Sequence, residues 1–321
     1  MKGPKLKAFL IIGPIILIGA LIFFLPAKSF QIKKAENRIT RVFSFNSLFK
    51  PPAEGINILV LGRPGPGYPG ENLTDTIILV HLNPKQKKAV LISLPRDLAV
   101  KIPETRNYTK INQLYSLAGL KMTEQKIEEI TGLIIDYYIL VDLVAVKEIV
   151  DSVGGLNILA PFDINDPYFP GPNHSYQTFN LSAGWRYLDG ETALKYVRTR
   201  YTSPNNDFDR MARQQQVIRA LKQKTLSLNV LSNLSTYLKI FQSLTEHIQT
   251  DLSLMEMKSL YETGQKIEPL RIISLVLDKK ETNLMASGQT MLGNQPASTV
   301  WPKAGKENYS EIKEFIKNTI N

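Results

Sequence analysis

The chain has 321 residues, no cysteine and a formal charge of +10, enough length for one large domain or two ordinary ones with a proper core. The missing cysteines exclude disulfides, thiol catalysis and cysteine-ligated metals, and His81, His174 and His247 are too widely spaced to read as a ligand pair. Nucleic acid is not an expected partner either: Lys2, Lys5, Lys7, Lys28, Lys33 and Lys34 bracket one apolar segment, leaving 33 of the 39 basic residues against 29 acidic ones beyond it.

That segment, Ala8 to Ala27, is uncharged and rich in Ile, Leu and Phe, and its length is what a helix needs to cross the hydrocarbon core. It reads as a single transmembrane anchor. A cleaved signal peptide fits less well, because the apolar run is long and Leu25-Pro26-Ala27-Lys28 is a poor cleavage site. Lysines flank both ends, so orientation follows from size: the short N-terminus, residues 1–7, stays in the cytoplasm and the large domain lies outside. Residues 28–54 form an amphipathic linker closed by Pro51-Pro52, and an extracytoplasmic domain takes residues 55–321.

Within that domain, Ile56–Leu61, Thr76–Leu82 and Ala89–Leu94 are apolar, β-branched runs that predict three strands. The Gly/Pro-dense loop from Gly62 to Gly70 separates the first two. It fits neither a dinucleotide fingerprint nor a Walker loop, and reads as a shaped loop or lid. The third strand ends at Pro95-Arg96-Asp97, which places this pair beside Asp75 at a common strand edge. Helices are expected over Lys110–Ala118, Thr123–Thr131 (capped by Gly132) and Leu143–Val150, with strands at Asp136–Asp142 and Leu156–Leu159. Pro161 to Ser182 reads as a long polar loop, and Gly184–Val197 as a turn and short helix. Beyond Leu226, helical stretches over Leu226–Gln249 and Leu252–Gly264 precede a strand at Leu270–Leu277, a turn-rich region over Met285–Lys306 and a last helix over Glu307–Ile320. Alternating strands and helices signal an α/β domain with helices on both sides of a sheet.

The densest chemistry lies between Arg198 and Gln215, with four arginines and two aspartates. If Tyr196–Arg200 is extended, Arg198 and Arg200 share a face; if Asp207 opens a helix, Arg210, Arg213 and Gln214 share another, continued by Val217, Ile218 and Leu221. Guanidinium groups set where a helix meets its core need anions. Asp207 and Asp209 are too few for four arginines, so a phosphate or carboxylate ligand is expected. Arg213 is the least secure of these, fitting a helix surface or a salt bridge.

Seven elements in order carry a resemblance: Thr74-Asp75-Thr76, Ile92–Asp97, Lys110-Ile111-Asn112, Val150–Gly155, Leu188-Asp189-Gly190, Tyr196–Arg200 and Asp207–Gln215. Together they resemble the LytR-CpsA-Psr family of membrane-anchored bacterial cell-wall proteins, over residues 56–224, with residues 225–321 completing the domain. The resemblance implies a three-layer α/β/α domain with a central mixed sheet, preceded by the transmembrane helix. It also implies a phosphotransferase that moves a glycan phosphate from a polyprenyl-pyrophosphate carrier to a peptidoglycan or other wall hydroxyl, assisted by magnesium. Its pyrophosphate-binding residues fall on Arg96, Arg198, Arg200, Arg210 and Gln214. Asp75, Asp97 and Asp207 would hold the metal or orient the arginines, with Lys110 and Asn112 orienting loops.

One departure bears on the metal. The family's Gly-x-Asp-x-Arg turn reads Gly62-Arg63-Pro64-Gly65 here, so Pro64 stands where a metal-binding aspartate is usual. Glu71 or a water would have to substitute. Catalytic expectations rest on Arg96, Asp97 and Asp75, with Asp97 or Asp75 as the base for the acceptor hydroxyl, and fixed guanidinium groups stabilising the leaving pyrophosphate oxygens. The isoprenoid tail needs an apolar slot, for which Val217, Ile218 and Leu221 are the expected lining. Two alternatives stand beside transfer: hydrolysis of the polyprenyl pyrophosphate, and a non-catalytic module that holds lipid phosphate.

Overall fold

The computed structural model describes residues 55–105, 107–171, 175–200, 207–227 and 246–321. The expected anchor at Ala8–Ala27 and linker at residues 28–54 lie outside them. Among the described residues no helix is long and apolar enough to cross a membrane.

The centre is a six-stranded mixed sheet. Its strands are β1 (Ile56–Gly62), β2 (Thr76–Asn83), β3 (Lys88–Ser93), β6 (Tyr137–Val141), β11 (Ile248–Thr250) and β12 (Ile272–Val276), in the order β11-β6-β1-β2-β3-β12. β1 runs parallel to β6 and antiparallel to β2, while β3 runs antiparallel to β2 and parallel to β12. Both faces are covered, which is why these strands are nearly continuous apolar runs rather than alternating ones. In β1, Ile56 and Ile58 join one core, and Leu59 and Leu61 join the other, the period of two expected of a strand.

The second core packs under α1 (Ile111–Thr131) and α6 (Ser310–Ile320), through Ile111, Ile127, Ile130, Ile312 and Ile316. The first packs under α2 (Leu143–Ser152), α3 (Gly190–Arg198), α4 (Asp207–Ser227) and α5 (Leu254–Gln265). The result is helices on both faces of a mixed sheet. α1 joins the two helical stretches expected over Lys110–Ala118 and Thr123–Thr131 across a break at Gly119, where φ is 77°, and it ends on left-handed Gly132.

Several segments differ from the sequence reading. Pro161–Ser182 is a hairpin of β8 (Ile164–Pro170) and β9 (Tyr176–Leu181). Its inward Phe169 and Phe179 are buried, while Tyr168, Pro170, Thr178 and Asn180 beside them are exposed, so the apolar alternation is too sparse to stand out. Met285–Lys306 contains a second hairpin, β13 (Met285–Leu292) with β14 (Gln295–Pro302). A short pair, β4 (Ala99–Lys101) with β5 (Tyr108–Lys110), was not anticipated. Ile248 and Gln249, read as the end of a helix, form with Thr250 the edge strand of the main sheet. β7 (Leu156–Ala160) pairs with β10 (Gly184–Leu188), leading into α3.

Candidate functional site

The site forms at the sheet edge where β1 and β3 end and β2 begins: Gly62 pairs with Thr76, and Ser93 with Ile78. Ligand crevices in open α/β sheets lie outside the carboxyl ends of strands. Asp75 precedes β2 and Arg96 follows β3. The Arg96 Nη1 donates to Asp75 Oδ1 at 2.7 Å, and Arg96 Nε lies 3.7 Å from Asp97 and 3.5 Å from Asp207. Asn112 Nδ2 donates to the same Asp75 oxygen at 3.0 Å, and its backbone carbonyl accepts from Thr74 N–H. The Asn112 N–H donates to Arg96 O. Lys110 Nζ pairs with Asp97 at 2.7 Å. The start of α1 thus clamps both strand ends.

α4 supplies the remaining groups. Arg210 is 4 % exposed, pairs with Asp207 at 2.9 Å and donates to Asp75 O at 3.1 Å. Burial, with Arg96 and Arg200 nearby, lowers its pKa to about 10 against the pull of Asp207 and Asp75. Burial works to raise the Asp75 pKa, but Arg96, Arg210 and the hydrogen bonds from Asn112 and Arg96 hold it below the ordinary carboxylate value. Its carboxylate stays ionised at any physiological pH.

Arg198 is not extended with Arg200, because Tyr196–Arg198 form the last turn of α3. Its guanidinium lies over the rings of Phe169 at 5.2 Å and Tyr68 at 5.8 Å. It has no carboxylate partner among the described residues. Burial lowers its pKa, offset in part by Tyr68, Glu191 and Asp75. Arg200 is exposed, and near enough to weigh against the charges of Arg198 and Arg210. Among the described residues, five cations, Arg96, Lys110, Arg198, Arg200 and Arg210, therefore face four carboxylates, Asp75, Asp97, Asp207 and the more distant Glu191. The uncompensated charge suits a polyanion with several oxygens.

Arg213 is the main correction. It lies not on a helix surface but 2 % exposed, donating to the carbonyls of Tyr196 and Thr199 and lying over the Tyr196 ring. These carbonyls have no intrahelical partner at the end of α3, and a cation there meets the negative end of the helix dipole. Gln214 Nε2 faces Val197 O at 3.4 Å, the same helix end. Gln215, which sequence reasoning passed over, is buried and donates to Ser93 Oγ at 2.7 Å and to Leu275 O. Gln216 donates to Leu159 O and accepts from Tyr196 Oη. The run of three glutamines ties α4 to three neighbours, a pattern legible in sequence only as a polar interruption of an apolar stripe.

Val217 and Leu221 are buried in the core between α4 and the sheet, and Ile218 packs against it. Their side chains fill that layer rather than line an open slot. As arranged, the residues present do not fit magnesium. Among the described residues no three metal-ligating side chains stand together. Asp75 and Asp97 each already bind cations, and Glu71 is an exposed partner of Asn72.

The LytR_cpsA_psr family pattern matches residues 21–304. An Enterococcus faecalis relative, the polyisoprenyl-teichoic acid–peptidoglycan teichoic acid transferase TagU, is 32 % identical over 270 residues, 84 % of this chain and 80 % of its own. A Bacillus cereus TagU is 32 % identical over 201 residues, 63 % of this chain and 62 % of its own. The crystal structure of a Streptococcus agalactiae protein superposes with a TM-score of 0.65 at 25 % identity, covering 83 % of this chain and 88 % of that one. A mixed sheet flanked by helices, an arginine cluster at the strand ends and a match across most of the sequence converge: the chain belongs to the LytR_cpsA_psr family.

Proposed function

We propose that this protein moves a glycan phosphate from a polyprenyl-pyrophosphate carrier to a hydroxyl of peptidoglycan or another wall polymer. The observation that carries the reading is the surplus of guanidinium charge at one sheet edge, with Arg198 and Arg200 in no ion pair with a carboxylate among the described residues. Breaking the pyrophosphate bond builds negative charge on the leaving phosphate, and donors already fixed in place stabilise it without reorganising. Arg96 and Arg210, held by Asp75 and Asp207, form the rigid floor, while Arg198 and Arg200 close on the ligand. The named activity of the TagU relatives supports this assignment.

The Ala8–Ala27 segment would anchor the protein, with the domain outside the membrane. The steps above use the protein's own cations.

The test mixes full-length protein with a polyprenyl-pyrophosphate disaccharide and peptidoglycan strands, with and without magnesium, and follows both phosphate release and glycan transfer. Transfer is the expected result; release without transfer would assign hydrolysis, and neither would leave binding alone. Arg198→Ala and Arg200→Ala are expected to weaken donor binding roughly tenfold or more each, on the scale of one charged hydrogen bond, with the thermal midpoint nearly unchanged. Variants that melt early yet bind normally would overturn the clamp.

A further inference from the structure

Attack on phosphorus by a hydroxyl needs a proton acceptor, and the arginine cluster is a poor place to find one. Asp75, Asp97 and Asp207 each have a carboxylate oxygen taken up by a cation, and the cations around Asp75 hold its carboxyl below the ordinary value. A base also belongs at the cluster's periphery, since nucleophile and leaving oxygen lie on opposite sides of the phosphorus.

The same sheet edge holds a second constellation. β6 ends at Val141, beside Gly62 of β1, and Ile248 of β11 pairs with Val141, so Asp142 and His247 face each other just past the strands. Asp142 N–H donates to His247 O at 3.1 Å, and the His247 Nδ1 lies 2.7 Å from Asp142 Oδ2. The other carboxylate oxygen accepts from Ala145 N–H at the start of α2. Asp142 is buried at 2 %, while the His247 side chain is 25 % exposed. An ionised carboxylate can only accept, so it holds the proton on Nδ1 and leaves the lone pair on Nε2.

One loop joins this pair to the arginines. Gly65 lies against Asp142, where a Cβ would come within 2.7 Å, and its φ of +86° is open to few other residues. Tyr68 N–H donates to Gly65 O at 3.3 Å, a turn that keeps the two Cα atoms within about 7 Å. The Tyr68 ring then meets Arg198 at 5.8 Å. Along the edge, Asp142 stands two strands from Asp75, about 10 Å at ordinary strand spacing.

We propose that His247, oriented by Asp142, is the general base for the acceptor hydroxyl; this rests on the transfer reading above. The hydroxyl proton passes to Nε2 as the oxygen lone pair forms the new O–P bond to the glycan-bearing phosphorus. The P–O bond to the bridging oxygen breaks, and its electron pair leaves on polyprenyl monophosphate, held by the arginines. The imidazolium then returns its proton to solvent. His247 is the catalytic residue and Asp142 a positioning residue.

The experiment uses full-length protein with the same donor and acceptor. His247→Gln is expected to lower kcat roughly 10²-fold or more, the usual worth of a general base, with KM for the donor unchanged. Asp142→Asn should also lower kcat while keeping the thermal midpoint, because asparagine caps a helix as well as aspartate. Added imidazole should restore turnover to His247→Ala. Wild-type turnover in His247→Gln, or losses confined to stability with no imidazole rescue, would overturn the dyad while leaving transfer standing. A wild-type protein that binds donor but never transfers would remove both.

Discussion

Replacing Arg213 by alanine separates the arginines that shape the site from those that meet the ligand. Arg213 donates to Tyr196 O at 2.9 Å and to Thr199 O, and its guanidinium lies 5.7 Å from the Tyr196 ring centre, all at 2 % exposure. Each hydrogen bond from a charged donor contributes about 1.5–3 kcal/mol, so losing two costs about 3–6 kcal/mol. For a domain of this size each kcal/mol moves the midpoint by roughly 2–4 °C, which predicts a fall of about 6 °C at the least. The end of α3 would also loosen, and with it Arg198. Scanning calorimetry on Arg213→Ala and Arg198→Ala, with donor binding on both, reads the difference. An Arg213→Ala protein melting with the wild type would refute the account of α3 being held through its terminal carbonyls.

Two further outcomes follow from the packing. His81 is 4 % exposed and its Nδ1 donates to Asn57 Oδ1 at 2.8 Å; burial, with Lys88 nearby, lowers its pKa from 6.5 to about 4. The unfolded chain therefore binds the proton first, so this contribution is whole above pH 6.5 and is lost as pH falls toward 4, about 1.4 kcal/mol per unit. Denaturant titrations at pH 7 and pH 5 should show that fall in the wild type and a flatter response in His81→Leu; equal slopes would refute it. Gly65→Ala should lower both the melting midpoint and turnover, since the new Cβ would meet Asp142 and the left-handed backbone adds about 1–2 kcal/mol; unchanged turnover would show that the loop does not position the site.

The arginine-rich stretch, the carboxylate before β2 and the Arg96-Asp97 turn were legible because each sits in a local pattern that a strand or helix period makes visible. Their meeting was only partly so. The Arg96–Asp75 pair follows from adjacent strand ends, but Arg96–Asp207 at 3.5 Å joins the end of a strand to the start of a distant helix, and no local rule predicts it.

By itself the sequence determined the α/β alternation, the strands buried on both faces, the membrane-length apolar segment and the order of motifs, because each depends on periodicity or composition over a short window. Only the tertiary structure decided which arginine does what. Arg198 and Arg213 are chemically alike; one ends a helix over two aromatic rings, and the other is buried against that helix's last carbonyls. The Asp142–His247 pair, separated by 105 residues, exists only because β11 adds to the edge of β6. Charge and shape at a site are set by neighbours distant in sequence, and a folded sheet brings them together.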